Sequence, residues 1–208
     1  MKLEYRHIIN KKDNLEDVFS LIYEGDPYIY RDLFSSDFKV GYQVFLRICH
    51  NELCLFYLEN YRVAVNAETQ EIVGICSFFN AETRWIPAIV EQAYILCGVR
   101  TPDSFDSVSD YFNKTYNYKH FLVGACDICV KKEYRGQHIG DFILKELLEE
   151  IGNQDVQLTV LKDNIAAVKL YENNGFTKVW EFDDYGGHNA PKVACYVMYR
   201  VGDDKQGR

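Results

Sequence analysis

Apolar residues repeat along the chain with two different periods, and each period predicts a different element. Short runs rich in valine, isoleucine, phenylalanine and tyrosine predict strands, which we place at residues 3–9, 61–65, 72–79, 121–130, 157–161, 176–182 and 192–201. Longer segments with apolar residues three and four apart predict amphipathic helices, which we place at 14–23, 38–56, 86–97, 102–116, 142–151 and 164–172. The chain is therefore expected to combine a sheet with helices.

Three segments interrupt this alternation. Gly25 and Pro27 punctuate residues 23–30, which are expected to form a loop. Residues 80–119 carry two predicted helices inside a strand-rich run, and we interpret them as a helical insertion between the third and fourth strands. A turn-rich segment separates the last two strands. Residues 1–201 are expected to form one domain, and 202–208 a frayed polar tail.

The composition fits a globular protein with an acidic surface. Of its 208 residues, 48% are hydrophobic, which is enough to build a core. The formal net charge of −8 argues against nucleic-acid binding, which needs a basic surface. The sequence shows neither an apolar run of bilayer length nor the apolar segment of a signal peptide. We therefore expect no nucleic-acid or membrane partner and a cytoplasmic location.

The chain has seven cysteines without the dense spacing of a secreted disulfide framework. Cys126 and Cys129 form a CxxC pair, which raises a zinc or redox alternative. On a regular strand, residues three apart point to opposite faces, and no second ligand pair with zinc spacing follows. We therefore expect buried thiols and no metal site.

The segment from Val130 to Phe176 is the most informative stretch for function. It reads as a strand, a glycine-containing turn from Arg135 to Gly140, a helix, a second strand and a second helix. The first N–H groups of a helix have no intrahelical partner and lie at the positive end of the helix dipole. The turn is therefore expected to bind an anion such as a pyrophosphate.

The turn resembles the signature of the GNAT superfamily of acetyl-CoA-dependent N-acetyltransferases. Family members have Gln or Arg at the first position of this turn, Gly at the fourth and Gly or Ala at the sixth. Arg135 and Gly140 fit the first and last positions, whereas His138 occupies the fourth. Being no glycine, His138 is expected to adopt a backbone conformation allowed to ordinary residues.

A second set of residues extends the resemblance. These residues match the family at fixed spacing and are Leu158, Val160, Asn164, Ala167, Leu170, Tyr171, Gly175 and Phe176. The resemblance implies an α/β fold on a mixed sheet that splays where the central strands part. It also implies acetyl-CoA as cofactor, contacted by Ile128, Cys129, Val130, Arg135, Gly136, Gln137, His138, Ile139, Gly140, Asp141, Asn164, Ala167 and Tyr171.

The resemblance also suggests which residues perform the chemistry. Tyr171 occupies the position that often protonates the departing thiolate, although it could equally be a core aromatic. Asn164 could be an ordinary helix N-cap. Asp127 could serve as general base or be structural. Glu24, Asp26, Tyr28 and Tyr30 belong to the first helical hairpin, which borders the acceptor site in this family. They are the predicted substrate-binding residues and rivals of Asp127 for the role of general base. His120 and His138 are weaker candidates for the base.

The leading hypothesis is transfer of an acetyl group to a primary amine of a small cationic molecule, by direct attack in a ternary complex. Acidic residues of the first hairpin, the insertion and the 183–191 turn are expected to wall the acceptor pocket. The alternatives are a protein or peptide N-acetyltransferase and a non-catalytic acyl-CoA sensor or assembly module. The insertion could roof the acceptor pocket or form a homodimer contact.

Overall fold

The fold is organised around one mixed sheet. The computed structural model describes residues 1–9, 12–26, 28–80, 83, 85–116, 123–185 and 193–202. The described strands are β1 (Leu3–His7), β2 (Tyr61–Asn66), β3 (Ile72–Asn80), β4 (Val123–Val130), β5 (Val156–Leu161), β6 (Thr177–Tyr185) and β7 (Val193–Arg200). Their order is β1-β2-β3-β4-β5-β7-β6. Neighbours pair antiparallel except β4 and β5, which are parallel. The predicted α/β class with a mixed sheet is confirmed.

Helices cover both faces of the sheet. They are α1 (Leu15–Gly25), α2 (Ile29–Phe34), α3 (Phe38–Ile48), α4 (Pro87–Leu96), α5 (Phe105–Tyr116), α6 (Ile139–Ile151) and α7 (Ile165–Asn173). The predicted loop at 23–30 is shorter than expected, because α1 continues to Gly25 and α2 starts at Ile29. The predicted helix 38–56 is also too long. The chain turns after Ile48, and the N–H of Leu58 closes this turn on the carbonyl of Cys49.

Polar residues fix where the helices begin. The side chain of Asn14 accepts a hydrogen bond from the N–H of Glu16 at the start of α1. Asp37 accepts two from the first turn of α3. Each cap satisfies N–H groups that have no acceptor within the helix.

Across the described residues, no helix combines the length and apolar character that a bilayer crossing needs.

Two hydrophobic clusters lie against the sheet. Alternation along β2 sends Val63 to the first cluster and Ala64 to the second. The first cluster joins the strands to α1–α5 and centres on Phe19, whose ring lies 5.1 Å from that of Phe45 and 5.3 Å from that of Phe34. The second cluster packs α6 and α7 on the sheet through residues such as Ile143. The first helices are thus held firmly against the strand that carries the site.

The central strands separate in the middle of the sheet. β4 pairs with β5 only at Val123–Val156 and Gly124–Gln157. Two residues further along, the register between β3 and β4 shifts, and Asp127 has φ +54°. Together these features identify a β-bulge. The bulge adds one residue to β4 and so re-aims the side chains that follow it.

The bulge corrects the expectation for the CxxC pair. Cys126 and Cys129 both pack against the first cluster instead of pointing to opposite faces, because the extra residue breaks the two-residue alternation. A second correction concerns the tail. Gly202 is buried, and its N–H donates to Asp155 at 3.0 Å, so the chain is held at this residue. The rest of the predicted tail lies outside the described residues.

Candidate active site

A large open cleft lies where β4 parts from β5. Its volume is about 690 Å³, within the usual range for small-molecule sites. All of the predicted cofactor residues except Gln137 line it, and so do Glu24, Gly25, Tyr134, Leu161, Ala166 and Leu170. The sequence therefore located this cleft well, although the contact of each residue with a cofactor stays a prediction.

Left-handed backbone conformations shape the turn at the mouth of the cleft. Gly136 has φ +78° and His138 has φ +60°. The expectation that His138 would adopt an ordinary conformation is thus wrong. The residue keeps the shape that a glycine would take, and α6 starts immediately after it, at Ile139. Histidine is among the few side chains that tolerate this region, at some cost.

The turn is tied to the β2–β3 hairpin through Glu71. Its carboxylate accepts a hydrogen bond from the hydroxyl of Tyr134 at 2.7 Å and one from Lys131 at 3.2 Å. These hydrogen bonds, that of Tyr134 first, lower the pKa of Glu71. On the other side, Nε of Arg135 donates to the carbonyl of Val130 at 3.0 Å. The approach to α6 is therefore fixed from two directions.

The start of α6 suits an anion. The N–H groups of its first turn, including those of Gly140 and Asp141, have no acceptor within the helix. The negative charge of Asp141 is paired with Lys145 at 2.7 Å, and the hydrogen bond from this lysine lowers the pKa of Asp141. With that carboxylate paired, the helix dipole and free N–H groups leave a site for phosphate groups.

A smaller pocket opens beside the cleft. Its volume is about 90 Å³. The two cavities share Gly25, Ile128, Leu161, Asn164 and Tyr171 as lining residues. The smaller pocket also touches Asp26 and Tyr30, two of the predicted substrate-binding residues, and Asp127, the predicted general base. A group held at the end of the large cleft would therefore meet a molecule held in the small pocket.

Tyr171 stands at the junction of the two cavities. Its side chain is only 7% exposed, and its ring lies 5.9 Å from that of Phe176. Burial raises its pKa above the usual value, so the phenol stays protonated. The hydroxyl makes no hydrogen bond with the residues that the structure describes. The residue packs as a core aromatic and also presents an unused proton to the junction.

Asp127 is held by a ring of hydroxyl groups. Its Oδ2 accepts hydrogen bonds from Tyr61 at 2.8 Å and from Ser77 at 3.0 Å, and its Oδ1 accepts one from Tyr30. The bulge produces this arrangement by turning the side chain toward the first cluster. Burial and then the negative charge of Asp127 raise the pKa of Tyr61 well above its usual value. Both phenols therefore act toward this carboxylate as donors.

Asp26 is the second carboxylate of the small pocket. Its Oδ1 accepts the backbone N–H groups of Tyr28 at 3.1 Å and Ile29 at 3.0 Å, and so supports the start of α2. Burial raises its pKa to about 6, although those two hydrogen bonds oppose the shift. The negative charge of Asp127 adds to the rise. Asp26 can therefore exchange a proton close to neutral pH.

Asn164 serves as a helix cap as well as a lining residue. Its side chain accepts a hydrogen bond from the N–H of Ala167 at 3.2 Å, which starts α7. The N-cap alternative raised from the sequence therefore holds. Because the same residue lines both cavities, the cap also fixes the wall where they meet.

The helices between β3 and β4 contribute aromatic residues to the pocket. Tyr111 and Phe112 of α5 line it, and Trp85 stacks on Phe112 with ring centroids 4.6 Å apart. The predicted acidic wall is wrong for this segment, because its carboxylates are exposed outside both cavities: Asp103, Asp106 and Asp110. The dimer-contact alternative stays open, since Ile95 and Leu96 of α4 are exposed.

Other predicted acceptor residues are placed differently from the expectation. Glu24 lines the large cleft instead of the small pocket, and Tyr28 lines neither cavity. Asp183 pairs with Lys162 at 2.7 Å and also lines neither cavity. The side chain of Asp184, the rest of the turn up to residue 191, and His120 lie outside the described residues. The described residues contain no group of three or more histidine, cysteine, aspartate or glutamate side chains placed for a metal ion.

Sequence reasoning missed Tyr61 and Ser77, the partners of Asp127. Both follow strand alternation: Tyr61 faces the same way as Val63 along β2, and Ser77 faces the same way as Ile75 along β3. A polar residue on an apolar face was therefore the available signal. What it could not reveal was the bulge that brings Asp127 to the same face.

The comparisons with known proteins agree with this geometry. Residues 105–178 match a family model described as an acetyltransferase (GNAT) domain. The L-amino acid N-acetyltransferase AaaT of Escherichia coli (strain K12) is 30% identical over 78 residues, which are 36% of this chain and 48% of that protein. The match thus spans about half the length of this curated relative.

Solved structures resemble the chain over nearly its whole length. An N-acetyltransferase from Staphylococcus aureus Mu50 has a TM-score of 0.62 at 16% identity and covers 94% of this chain and 99% of its own. A chimera of spermidine N-acetyltransferase SpeG from Vibrio cholerae and hSSAT has a TM-score of 0.59 at 16% identity, with 100% of both chains covered. At these identities the likeness shows the fold.

The left-handed conformation of His138 generates a stability prediction. His138→Gly should be more stable than His138→Ala by about 1 kcal/mol, because alanine keeps the cost of a positive φ and glycine does not. Urea denaturation of both variants measures the difference. Gln137→Gly is the matched control, since φ at this neighbour is not positive and glycine should cost about 0.5–1 kcal/mol. Equal stability of the two His138 variants would contradict the prediction.

Proposed function

We propose that the chain belongs to the GNAT superfamily of acetyltransferases, whose domain model matches residues 105–178, and that it transfers an acetyl group from acetyl-CoA to a primary amine of a small cationic molecule. One observation carries the proposal: a cleft suited to an anionic cofactor and a pocket with two carboxylates share Tyr171 in their walls. A reaction between two bound molecules needs such a junction, since it brings the reacting atoms together.

The large cleft fits acetyl-CoA at both ends. The first turn of α6 offers free N–H groups for the pyrophosphate. β4 pairs with β5 only as far as Gly124, so the edge of β4 beyond this residue faces the cleft. The amides of the pantetheine arm would pair with backbone groups of this edge around Ile128, which lines the cleft. Once bound, the cofactor supplies an activated thioester.

Tyr171 would act as the proton donor for the leaving thiol. Its raised pKa keeps the phenol protonated at every pH of interest. An alkyl thiol has a pKa of about 8.5, so a phenol of higher pKa would not give up its proton in advance. It would donate a hydrogen bond to the sulfur as charge builds up there, and complete the transfer late.

The acceptor pocket favours a small ammonium group. Asp26 and Asp127 place two carboxylates along its wall, and the whole chain carries a net charge of −8. Both the local and the overall charge attract cations. Tyr111 and Phe112 of α5 supply an aromatic side, which suits the alkyl part of such a molecule and can also contact its charge.

Two alternatives remain. A peptide acceptor would need an open groove beside the thioester, whereas the described wall of α5 favours a small molecule. A non-catalytic acyl-CoA sensor would need the cofactor cleft alone. The hydroxyl of Tyr171 and the carboxylates beside it favour catalysis over sensing.

Cofactor binding tests the cleft. Calorimetry should show that acetyl-CoA binds the wild-type protein and raises its melting temperature. Gly140→Glu should abolish both effects by placing negative charge against the pyrophosphate. A side chain there would make ordinary contacts with Leu170 at 3.4 Å and Val130 at 3.9 Å, so the fold should persist. Leu53→Glu is the control, because it adds the same charge at a residue that is 62% exposed and outside both cavities. If the wild-type protein binds no acetyl-CoA at millimolar concentration, the proposal is refuted.

A panel of acceptors tests the reaction and the substrate class. Thiol release should occur with diamines and lysine-like amines and be weak with anionic amines. Their kcat/KM should fall as salt rises from about 0.01 to 0.5 M, because the screening length falls from roughly 30 Å to a few Å. Turnover of peptides alone would favour the peptide alternative, and binding without turnover of any amine would favour the sensor.

Removal of the phenol tests the role of Tyr171. Tyr171→Phe should lower kcat about 10- to 1000-fold, the range for a lost general acid, while cofactor affinity stays nearly intact because the ring still packs. Calorimetry measures affinity alongside turnover. Tyr57→Phe is the control, since it removes a phenol outside both cavities. Unchanged turnover of Tyr171→Phe would assign Tyr171 to packing alone.

A further inference from the structure

We infer that Asp26, and not Asp127, takes the proton from the acceptor ammonium, and that Asp127 is a positioning residue that shapes the pocket and holds the ammonium. This inference rests on the proposed function. It depends on a difference between two carboxylates that share one pocket. The difference is the set of hydrogen-bond donors that each carboxylate accepts.

Asp127 is poorly suited to accept a proton. Both of its oxygens are already bound by hydroxyl donors, namely Tyr30 on Oδ1 and Tyr61 and Ser77 on Oδ2. The thiol of Cys126 is an additional donor to Oδ2, at 3.4 Å. A proton taken by Asp127 would therefore have to share Oδ1 with the hydroxyl of Tyr30 or displace a donor from Oδ2.

Asp26 has an oxygen to spare. Its Oδ1 accepts the two backbone N–H groups that start α2. Its Oδ2 accepts no hydrogen bond from the residues that the structure describes. Because Asp26 lines the acceptor pocket, this oxygen is available to a bound ammonium, directly or through one water molecule.

The surroundings of Asp26 make it a stronger base than a free carboxylate. Burial is the main cause that raises its pKa to about 6, and the charges of Asp127 on β4 and Asp163 before α7 contribute to this rise. Cys195 on β7 also faces Asp26, and burial raises the pKa of this thiol to about 12, so it stays neutral. At pH 7 to 8 Asp26 is then ionised, yet close enough to neutrality to accept a proton.

Two more groups border this carboxylate within the pocket. Tyr30 on α2 directs its hydroxyl to Asp127, and Tyr171 on α7 stays protonated. Both are therefore neutral, and the described residues that line the pocket include no positively charged side chain that would compete with the substrate.

The protons balance as follows. Asp26 takes one proton from the ammonium and leaves a neutral amine. The amine nitrogen forms a bond to the thioester carbon, the carbon–sulfur bond breaks, and Tyr171 gives its proton to the sulfur. The nitrogen loses its second proton, which returns Tyr171 to the protonated form. Asp26 then releases its proton to solvent, so the reaction yields one amide, one thiol and one proton.

Asp26→Asn separates the base from the helix cap. Asparagine keeps an oxygen that can accept the same two N–H groups, and it caps helices about as well as aspartate. It cannot accept the proton. We expect kcat/KM to fall 100-fold or more at pH 7.5, in line with the loss of a general base. The acid limb near pH 6 in the wild-type profile should disappear.

Asp37→Asn is the matched control. Asp37 caps α3 through its Oδ1 in the same way and lines neither cavity. It measures the effect of exchanging a capping aspartate for asparagine and should leave turnover unchanged. Asp127→Asn is the comparison within the pocket. It should mainly raise KM and should keep the acid limb near pH 6.

The acceptor itself provides a second readout. A fluorinated amine whose pKa lies below the assay pH is already neutral and needs no base. Asp26→Asn should therefore recover most of its activity relative to wild type with this amine, and Asp127→Asn should not. A purely structural role for Asp26 would not depend on the pKa of the acceptor.

Stability provides a readout without substrate. The folded protein binds a proton at Asp26 with a pKa of about 6, above the value of about 3.9 for an unfolded aspartate. Between these two pH values the folded state binds more protons than the unfolded state. The contribution of Asp26 therefore lowers the free energy of unfolding as pH rises from about 4 to 6. The melting temperature of Asp26→Asn relative to wild type should therefore increase from pH 4 to pH 7.

The outcomes are distinct. Suppose that the wild-type protein turns over and that Asp26→Asn keeps both its rate and its acid limb. This result would overturn the inference and leave the proposed function intact. If the acid limb is lost in Asp127→Asn and kept in Asp26→Asn, Asp127 is the base, and this result would also overturn the inference. If wild-type protein releases no thiol with any amine, the proposed function fails, and the base assignment fails with it.

Discussion

The separation of β4 from β5 after Gly124 is the constraint on which the site depends. Two parallel strands that stay paired would satisfy each other's backbone groups and leave no room between them. Here the pairing stops after two residue pairs, and the wedge that opens carries both cavities. Helices α6 and α7 border the wedge on one side, and α1 and α2 close it on the other. In the proposed function, the same gap would provide a binding edge for one molecule and a pocket for another.

The bulge at Asp127 turns this gap into a chemical site. Without the extra residue, alternation along β4 would send the carboxylate to a different direction from Tyr61 and Ser77. With it, one aspartate is surrounded by hydroxyl donors, while Asp26 lies nearby and accepts, among the described residues, only the two N–H groups at the start of α2. Two residues of the same type thus acquire different hydrogen-bond partners from their surroundings alone.

The sequence predicted some of this site and could not predict the rest. The turn before α6 and the residues of α7 are local patterns, since glycine spacing and helical periodicity are written along a few turns of chain. The exact ends of β4 and the partners of Asp127 arise from contacts between segments 50 to 97 residues apart. Likewise, the positive φ of His138 follows from the surrounding loop and not from its own preference. The acidic residues of α5 misled the prediction, because charge counts do not say which face of a helix meets solvent.

The link from Glu71 to Tyr134 and Lys131 has a consequence for the cost of binding. A flexible phosphate-binding turn must lose conformational freedom when its ligand arrives, and that loss weakens affinity. Here a carboxylate from a different hairpin holds the turn in place beforehand. The freedom of the turn is lost when the protein folds, at the expense of global stability, and not each time a ligand enters. The hairpin between β2 and β3, remote from the reacting atoms, thereby becomes part of what sets affinity.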